Sequence, residues 1–378
     1  MKLMIDASLQ SVGGGVQVAV NLINNVFSTN FANECLVIVS PQVDQQIDIK
    51  YKKNENYIVF ENTKGFLKFI QGRKLAKLES KFNPDLVFIV FGPSYWKPKT
   101  KSIQGFAIPH MVYPQISDLL YKRKPIKKIL LNFLLKIKKN QILSNYEYML
   151  VETETFKKLV SNKIGFDEKN IFVVENSFNN KFDKNISGQP TSKNNIINFF
   201  VPSAYYPHKN LEILIDVAFI LKNKYKINFK FNFLIQEKSE DWSRLINLAN
   251  LKNVQSCLNT YGPVNNKLMA NLYRENDFVI LPTLAEVSTA VYPESFVSGK
   301  LIFTSNLDFA KELCGNGAIY FDPLDSSDIA LKIYQVINDA ELQNKVIECG
   351  SLQLSKKYIS PEEKWEKQKK LINFVLSK

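Results

Sequence analysis

Glu286 and Glu294 stand eight positions apart in EVSTAVYPE, separated by small residues, a Tyr-Pro step and a helix-start signal. A carboxylate offers two acceptor oxygens and suits a pair of adjacent sugar hydroxyls. Each such charge-assisted hydrogen bond contributes roughly 1.5–3 kcal/mol where water is excluded. The strand pattern DFVILPT predicts delivery of the chain at Thr283 to the edge of a parallel sheet where strands end and ligands bind. Glu286 then falls in the loop above that edge, and Pro293 suits the first turn of the next helix, which places Glu294 there too. The backbone N–H groups from Ser288 through Thr289 and Ala290 to Val291 would line the same edge, and an exposed helix N-terminus attracts anions. In YYPHKNLEILIDVAFIL, Lys209 and Asn210 follow another strand at the start of a helix, where a cation can meet phosphate. The plainer alternative is a solvated Glu286, a Glu294 serving the helix dipole, and a Lys209 in water.

Parallel sheets must position these groups. KLMIDAS, ECLVIVS, PDLVFIVFG, YMLVETE and IFVVENS read as strands, with GGGVQVAVNLINNVF and FLKFIQGRKLAKLESKF as helices between them. After the polar stretch at 179–195 the rhythm restarts with IINFFVPSA, FKFNFLIQ, DFVILPT, LIFTSN and AIYFDP as strands. The fold class expected is α/β, with two Rossmann-like doubly wound parallel-sheet domains. The expected boundaries are 1–180, a linker at 181–195, a second domain at 196–355, and a closing helix at 356–378 packing back toward the first domain. Ser360 would cap that helix, with Pro361 in its first turn.

The 378 residues exceed one ordinary core, and 45% hydrophobic with 22% charged residues excludes a disordered chain. Four scattered cysteines and two histidines form no metal-binding pattern, and no metal or cofactor is expected. There is no apolar run of about 18 residues, and the N-terminal stretch meets Asp6, unlike a signal peptide. A cytoplasmic protein is the expectation. The formal charge is +13, with 25 Lys/Arg against 15 Asp/Glu in residues 1–180. That basic half suits an anionic partner. A nucleic acid would require basic residues interleaved with exposed aromatics or a known module. Neither is present, and no nucleic acid partner is expected.

KRKPIKKILLNFLLKIKKN, residues 122–140, places Ile126, Ile129, Leu130, Phe133, Leu134 and Ile137 at helical spacing, flanked by lysines at 127, 128, 136, 138 and 139. Two readings stand. The helix lies in an anionic membrane surface, or it packs its apolar face on the core with its lysines in water.

Taken in order, YPHKN, YGPV, LYRENDFVILPT, the E-x7-E pair, SN and AIYFDP resemble the family-four retaining glycosyltransferases of the GT-B fold. The likeness is strongest over residues 196–350. In the first half only GGGVQVA and VVENS match. The resemblance implies a nucleotide-sugar donor, a UDP- or GDP-sugar, and a saccharide or polyprenyl-linked acceptor. It implies that Glu294 bonds the ribose, Glu286 touches donor-sugar hydroxyls, and Lys209 neutralises the diphosphate. By the same token Gly14 and Gly15 let backbone approach the phosphates, the peptides from Gly262 to Val264 meet the base, and His110 stands near the donor sugar. Asn176 takes the place of an asparagine that closes the first domain. Two departures stand out: Ser203 and Ala204 occupy the place of a usual arginine, and VSTAVYP replaces a usually glycine-rich segment. The implied chemistry is retaining and metal-independent, in surface polysaccharide assembly such as capsule, O-antigen or lipopolysaccharide. If the helix at 122–140 lies on a membrane, a lipid-linked acceptor at the inner face of the cytoplasmic membrane follows. A non-catalytic nucleotide-sugar-binding relative is the alternative, ahead of a basic nucleic-acid-binding protein.

Overall fold

The structure is a computed structural model that describes residues 1–11, 13–61, 63, 65, 67–114, 116, 119, 121, 125–177, 196–265 and 268–378. The linker expected at 181–195 lies outside the described residues, as do residues 122–124 of the basic segment. The chain divides into two compact units, the first made of Met1–Glu175 with Glu362–Lys378 and the second of Asn176–Pro361.

Unit 1 is built on seven parallel strands: β1 (Lys2–Ala7), β2 (Glu34–Val39), β3 (Tyr57–Val59), β4 (Leu86–Ile89), β5 (Ser102–Gly105), β6 (Tyr148–Val151) and β7 (Ile171–Val173). Their order is β3-β2-β1-β4-β5-β6-β7, so the strand order reverses between β1 and β4. The period of two in the strands explains why both faces are covered. Leu3, Ile5, Val37, Val39 and Phe88 face Val16, Ala19, Val20 and Ile23 of helix α1 (Gly13–Ser28). Met4, Leu36, Ile38, Val87 and Ile89 face the other way, toward Leu75 of α2 (Leu67–Phe82) and Trp96. Helices α3 (Pro125–Asn145) and α4 (Glu154–Ile164) complete the N-terminal segment.

Unit 2 carries six parallel strands: β8 (Ile197–Val201), β9 (Phe229–Phe233), β10 (Leu258–Thr260), β11 (Phe278–Leu281), β12 (Leu301–Ser305) and β13 (Ala318–Phe321), ordered β10-β9-β8-β11-β12-β13. The reversal falls between β8 and β11, where Phe278 pairs with Phe199 and Val279 with Phe200. Phenylalanines fill the core behind it, with the Phe199 ring stacked on Phe278 at 5.5 Å and tilted against Phe231 at 5.4 Å. Around the sheet lie α5 (Ile213–Asn223), α6 (Glu240–Leu251), α7 (Met269–Glu275), α8 (Val291–Val297), α9 (Asp308–Cys314), α10 (Ser326–Ile337) and α11 (Ala340–Lys357). The last helix, α12 (Pro361–Ser377), sets Trp365, Leu371, Ile372 and Val375 into the core of unit 1.

Three strands, β3, β5 and β10, lie outside the runs read as strands from the sequence. β3 and β10 are three-residue edge strands: β10 is Leu-Asn-Thr and shows no apolar run, whereas β3, Tyr-Ile-Val followed by Phe60, carries a short one that the strand reading passed over. Short edges limit unwanted pairing with other chains.

Candidate functional site

In unit 2 the topological reversal collects the residues singled out by type. The chain leaves β8 and passes through Ser203 to a single 3-10 turn, Pro207–Lys209. Lys209 therefore precedes α5 by a short loop and does not open that helix as the sequence pattern suggests. Asn210 ends the turn in the left-handed region at φ 55°, a conformation that Asn tolerates. Its side-chain amide donates to the Pro323 carbonyl at 2.7 Å, which ties the turn to the FDP segment after β13.

The chain leaves β11 beside this turn. The Leu284 amide donates to the His208 carbonyl at 2.7 Å. The Thr283 hydroxyl lies 3.2 Å from that carbonyl and 3.3 Å from Glu286 Oε1, and with one proton it serves one of them at a time. Lys209 Nζ donates to Glu286 Oε1 in an ion pair whose side chains are only 16% and 10% exposed. The alternative of a solvated Glu286 with its lysine in water is thereby excluded. Low exposure strengthens the pair and raises the cost of separating it.

Glu294 sits in α8, which opens at Val291, so Pro293 is already inside the helix. The Val291 amide lies 3.3 Å from the Thr289 hydroxyl that accepts from it, and the Glu294 amide donates to the Ala290 carbonyl at 3.0 Å. Fewer free amides thus line this edge than the sequence suggested. Ser288 Oγ is buried and has no hydrogen-bond partner among the described residues. Such a group suits a ligand that supplies the missing bond.

A residue to which the sequence reading gave no role holds Glu294. The Tyr273 hydroxyl donates to Glu294 Oε2 at 3.1 Å, and the fully buried Tyr273 ring meets Phe200 edge-on at 5.1 Å. Burial pushes the Glu294 carboxyl up from 4.5 to about 7, against the opposing pull of the Tyr273 hydrogen bond. Phe200 also meets Tyr261 at 6.4 Å, which links this carboxyl to the loop that follows β10. In that loop Gly262 has φ 71°, its amide donates to Thr260 Oγ1 at 3.0 Å, and Val264 is half-buried. The glycine is needed there because a side chain would be strained at positive φ. Tyr273 was the second residue of LYREND, and only its packing between Phe200 and Glu294 distinguishes it from any core tyrosine.

His110 and the glycine turn belong to unit 1. His110 lies in the 3-10 turn Pro109–Met111 after β5, and burial together with the nearby Lys138 charge lowers its pKa below 6.5. The imidazole is therefore neutral near pH 7. Gly13 takes the positive φ of 57°, whereas Gly14 and Gly15 are already within α1. Gly14 has open space around a Cβ position, and a Cβ on Gly15 would lie 2.6 Å from Gln10 Oε1. Close approach, and not backbone freedom, is what Gly15 supplies. Ser203, at the place of the absent arginine, is buried and hydrogen-bonds the Ala204 carbonyl at 3.0 Å.

Residues 181–352 match the family model for glycosyl transferases group 1. The matched segment contains Lys209, Glu286 and Glu294. No curated protein matches the chain. Among solved structures it is similar to sucrose-phosphate synthase from Thermosynechococcus elongatus, with TM-score 0.73, 11% identity, and 100% of this chain and 99% of that one covered. It is also similar to HepE of Anabaena in complex with UDP and glucose (TM-score 0.70, 14% identity, 98% and 99% covered). A third is WaaG, a glycosyltransferase involved in lipopolysaccharide biosynthesis (TM-score 0.68, 12% identity, 96% and 98% covered). The two parallel sheets with flanking helices have the GT-B fold of such neighbours. Over residues 181–352 the match is to a family of glycosyl transferases, and the neighbours add the fold.

Proposed function

We propose that the protein is a retaining glycosyltransferase of the family-four type, moving a sugar from a UDP- or GDP-sugar to a saccharide or polyprenyl-linked acceptor. The observation that carries this reading is the Lys209–Glu286 pair at the β8/β11 reversal, with Glu294 on the following helix. Lys209 neutralises the diphosphate, Glu286 receives hydroxyls of the donor sugar, and Glu294 receives a ribose hydroxyl. The loop from Gly262 to Val264 meets the base, and Ser288, Thr289 and Ala290 border the phosphates. Gly14, Gly15 and His110 serve the donor from unit 1.

The bond between the anomeric carbon and the diphosphate breaks while the acceptor oxygen adds to the same face of that carbon. The acceptor proton passes to an oxygen of the departing diphosphate. This route needs a cation and hydrogen-bond donors for the charge that develops on the diphosphate, and it requires neither a strong protein base nor a metal. HepE is described with UDP, which supports the UDP arm, and WaaG is involved in lipopolysaccharide biosynthesis, which supports surface polysaccharide assembly.

The test is thermal shift of the purified protein with UDP, GDP and ADP in the presence of EDTA, followed by transfer assays with the matching sugar nucleotides. Stabilisation by one nucleotide that Glu294→Ala abolishes, and transfer that Lys209→Ala lowers by roughly 10²–10³, are the expected results. Absence of any shift removes the donor site. Tight nucleotide binding without turnover favours a non-catalytic relative instead, the reading that the serine at the arginine position supports.

A further inference from the structure

Helix α3 is not built like the other helices of unit 1. Among its 21 residues only Ile142 is buried. Ile126, Ile129, Leu130, Phe133, Leu134 and Ile137 are between 38% and 81% exposed. They recur at the three- and four-residue spacing that puts side chains on one helix face. Single exposed apolar residues are ordinary, whereas a continuous apolar stripe marks an interaction surface.

The start of α2 adds to it. Leu67, Phe69 and Ile70 are 55%, 47% and 40% exposed. The intervening Lys68 stands 5.3 Å above the Tyr95 ring, against which Phe69 packs edge-on at 5.5 Å. Lys68 is near enough to Lys138 of α3 for the two like charges to oppose each other, which brings the apolar start of α2 into the neighbourhood of α3.

Charge decides among occupants. α3 carries lysines at 127, 128, 136, 138 and 139 and no acidic residue, and α2 has no acidic residue before Glu79. A second copy of the chain on this face would set lysines against lysines. A nucleic acid would satisfy the lysines and leave the isoleucines, leucines and phenylalanines in water. An anionic bilayer satisfies both, because apolar side chains enter the headgroup boundary while the exposed Lys127 and Lys136 extend to the lipid phosphates.

We propose that α3 and the first turns of α2 form one docking face with which unit 1 lies on an anionic lipid bilayer. The proposal gives a physical place to the membrane-side acceptor of the proposed function and rests on that reading for its purpose, though none of its residues belongs to the donor site.

The experiment is sedimentation of the full-length protein with vesicles of phosphatidylcholine alone and of phosphatidylcholine with an equal part of phosphatidylglycerol. Nucleotide thermal shift is measured on every sample. Wild type is expected to sediment with the anionic vesicles, to stay in solution with the neutral ones, and to be released by salt. Ile129→Ser with Phe133→Ser abolishes sedimentation, and Leu67→Ser with Phe69→Ser weakens it. Lys127→Gln and Lys136→Gln each reduce partitioning about fivefold. All variants keep the nucleotide shift. Wild type that stays in solution with anionic vesicles overturns the proposal, as does unchanged binding by the serine variants. A dimer in solution that Ile129→Ser with Phe133→Ser dissolves also overturns it, by assigning the face to a second copy. Vesicle binding without any nucleotide shift leaves this face standing and removes the transfer reading alone.

Discussion

Lys209 and Glu286 neutralise each other at low exposure, so removing one leaves the other charged and poorly solvated. Glu286→Ala or Lys209→Ala is expected to lower stability by about 1–3 kcal/mol in denaturant unfolding. The double variant loses less than the sum of the two, because no orphan charge remains. In the proposed reaction Lys209→Ala also lowers kcat by roughly 10²–10³, as loss of a charge-stabilising donor does elsewhere. Glu294 makes a separate pH prediction. Its carboxyl is raised from 4.5 to about 7 in the folded protein, so the folded state holds a proton that the unfolded state releases. Stability from this group is present at low pH and is lost as pH rises between those values. The loss totals about 3 kcal/mol, at 1.36 kcal/mol per unit. Glu294→Gln should flatten that slope in the pH dependence of Tm, and an unchanged slope would assign it to another group.

Helices α3 and α12 look alike as sequences, since both place apolar residues at helical spacing among lysines. Their packing differs. α12 buries Trp365, Leu371, Ile372 and Val375, while α3 buries Ile142 alone. Ile372→Ala should therefore cost about 2–5 kcal/mol in denaturant unfolding, and Ile129→Ser within about 0.5 kcal/mol. Equal costs would mean that α3 packs on the domain after all.

The chain passes between the units twice, at Glu175–Asn176 and at Pro361–Glu362, so unit 1 is assembled from both ends of the sequence. Deleting residues 362–378 removes four core side chains from unit 1 and nothing from the core of unit 2. Calorimetry should show the transition of unit 1 lost or lowered while a second transition persists. In the proposed function that second transition still rises with nucleotide. A single transition that disappears altogether would mean that the units unfold as one.

The alternation of apolar strands and amphipathic helices determined the α/β class and two parallel sheets, because strands buried on both faces must be continuously apolar. The types and spacing of Lys209, Glu286 and Glu294 were equally legible, since each lies just beyond a strong strand pattern. Edge strand β10 was not, because Leu-Asn-Thr carries no apolar run, and β3 was passed over because its run of Tyr57 to Phe60 is so short. Only the tertiary structure decided that Lys209 pairs with Glu286, since the two are 77 positions apart and meet where the strand order reverses. It alone brought Tyr273 to Glu294 and raised that carboxyl, because desolvation depends on what surrounds a group in space. It also showed that the domain leaves the apolar face of the basic helix uncovered: an amphipathic pattern states that a helix has an apolar face, and only packing states whether the domain covers it.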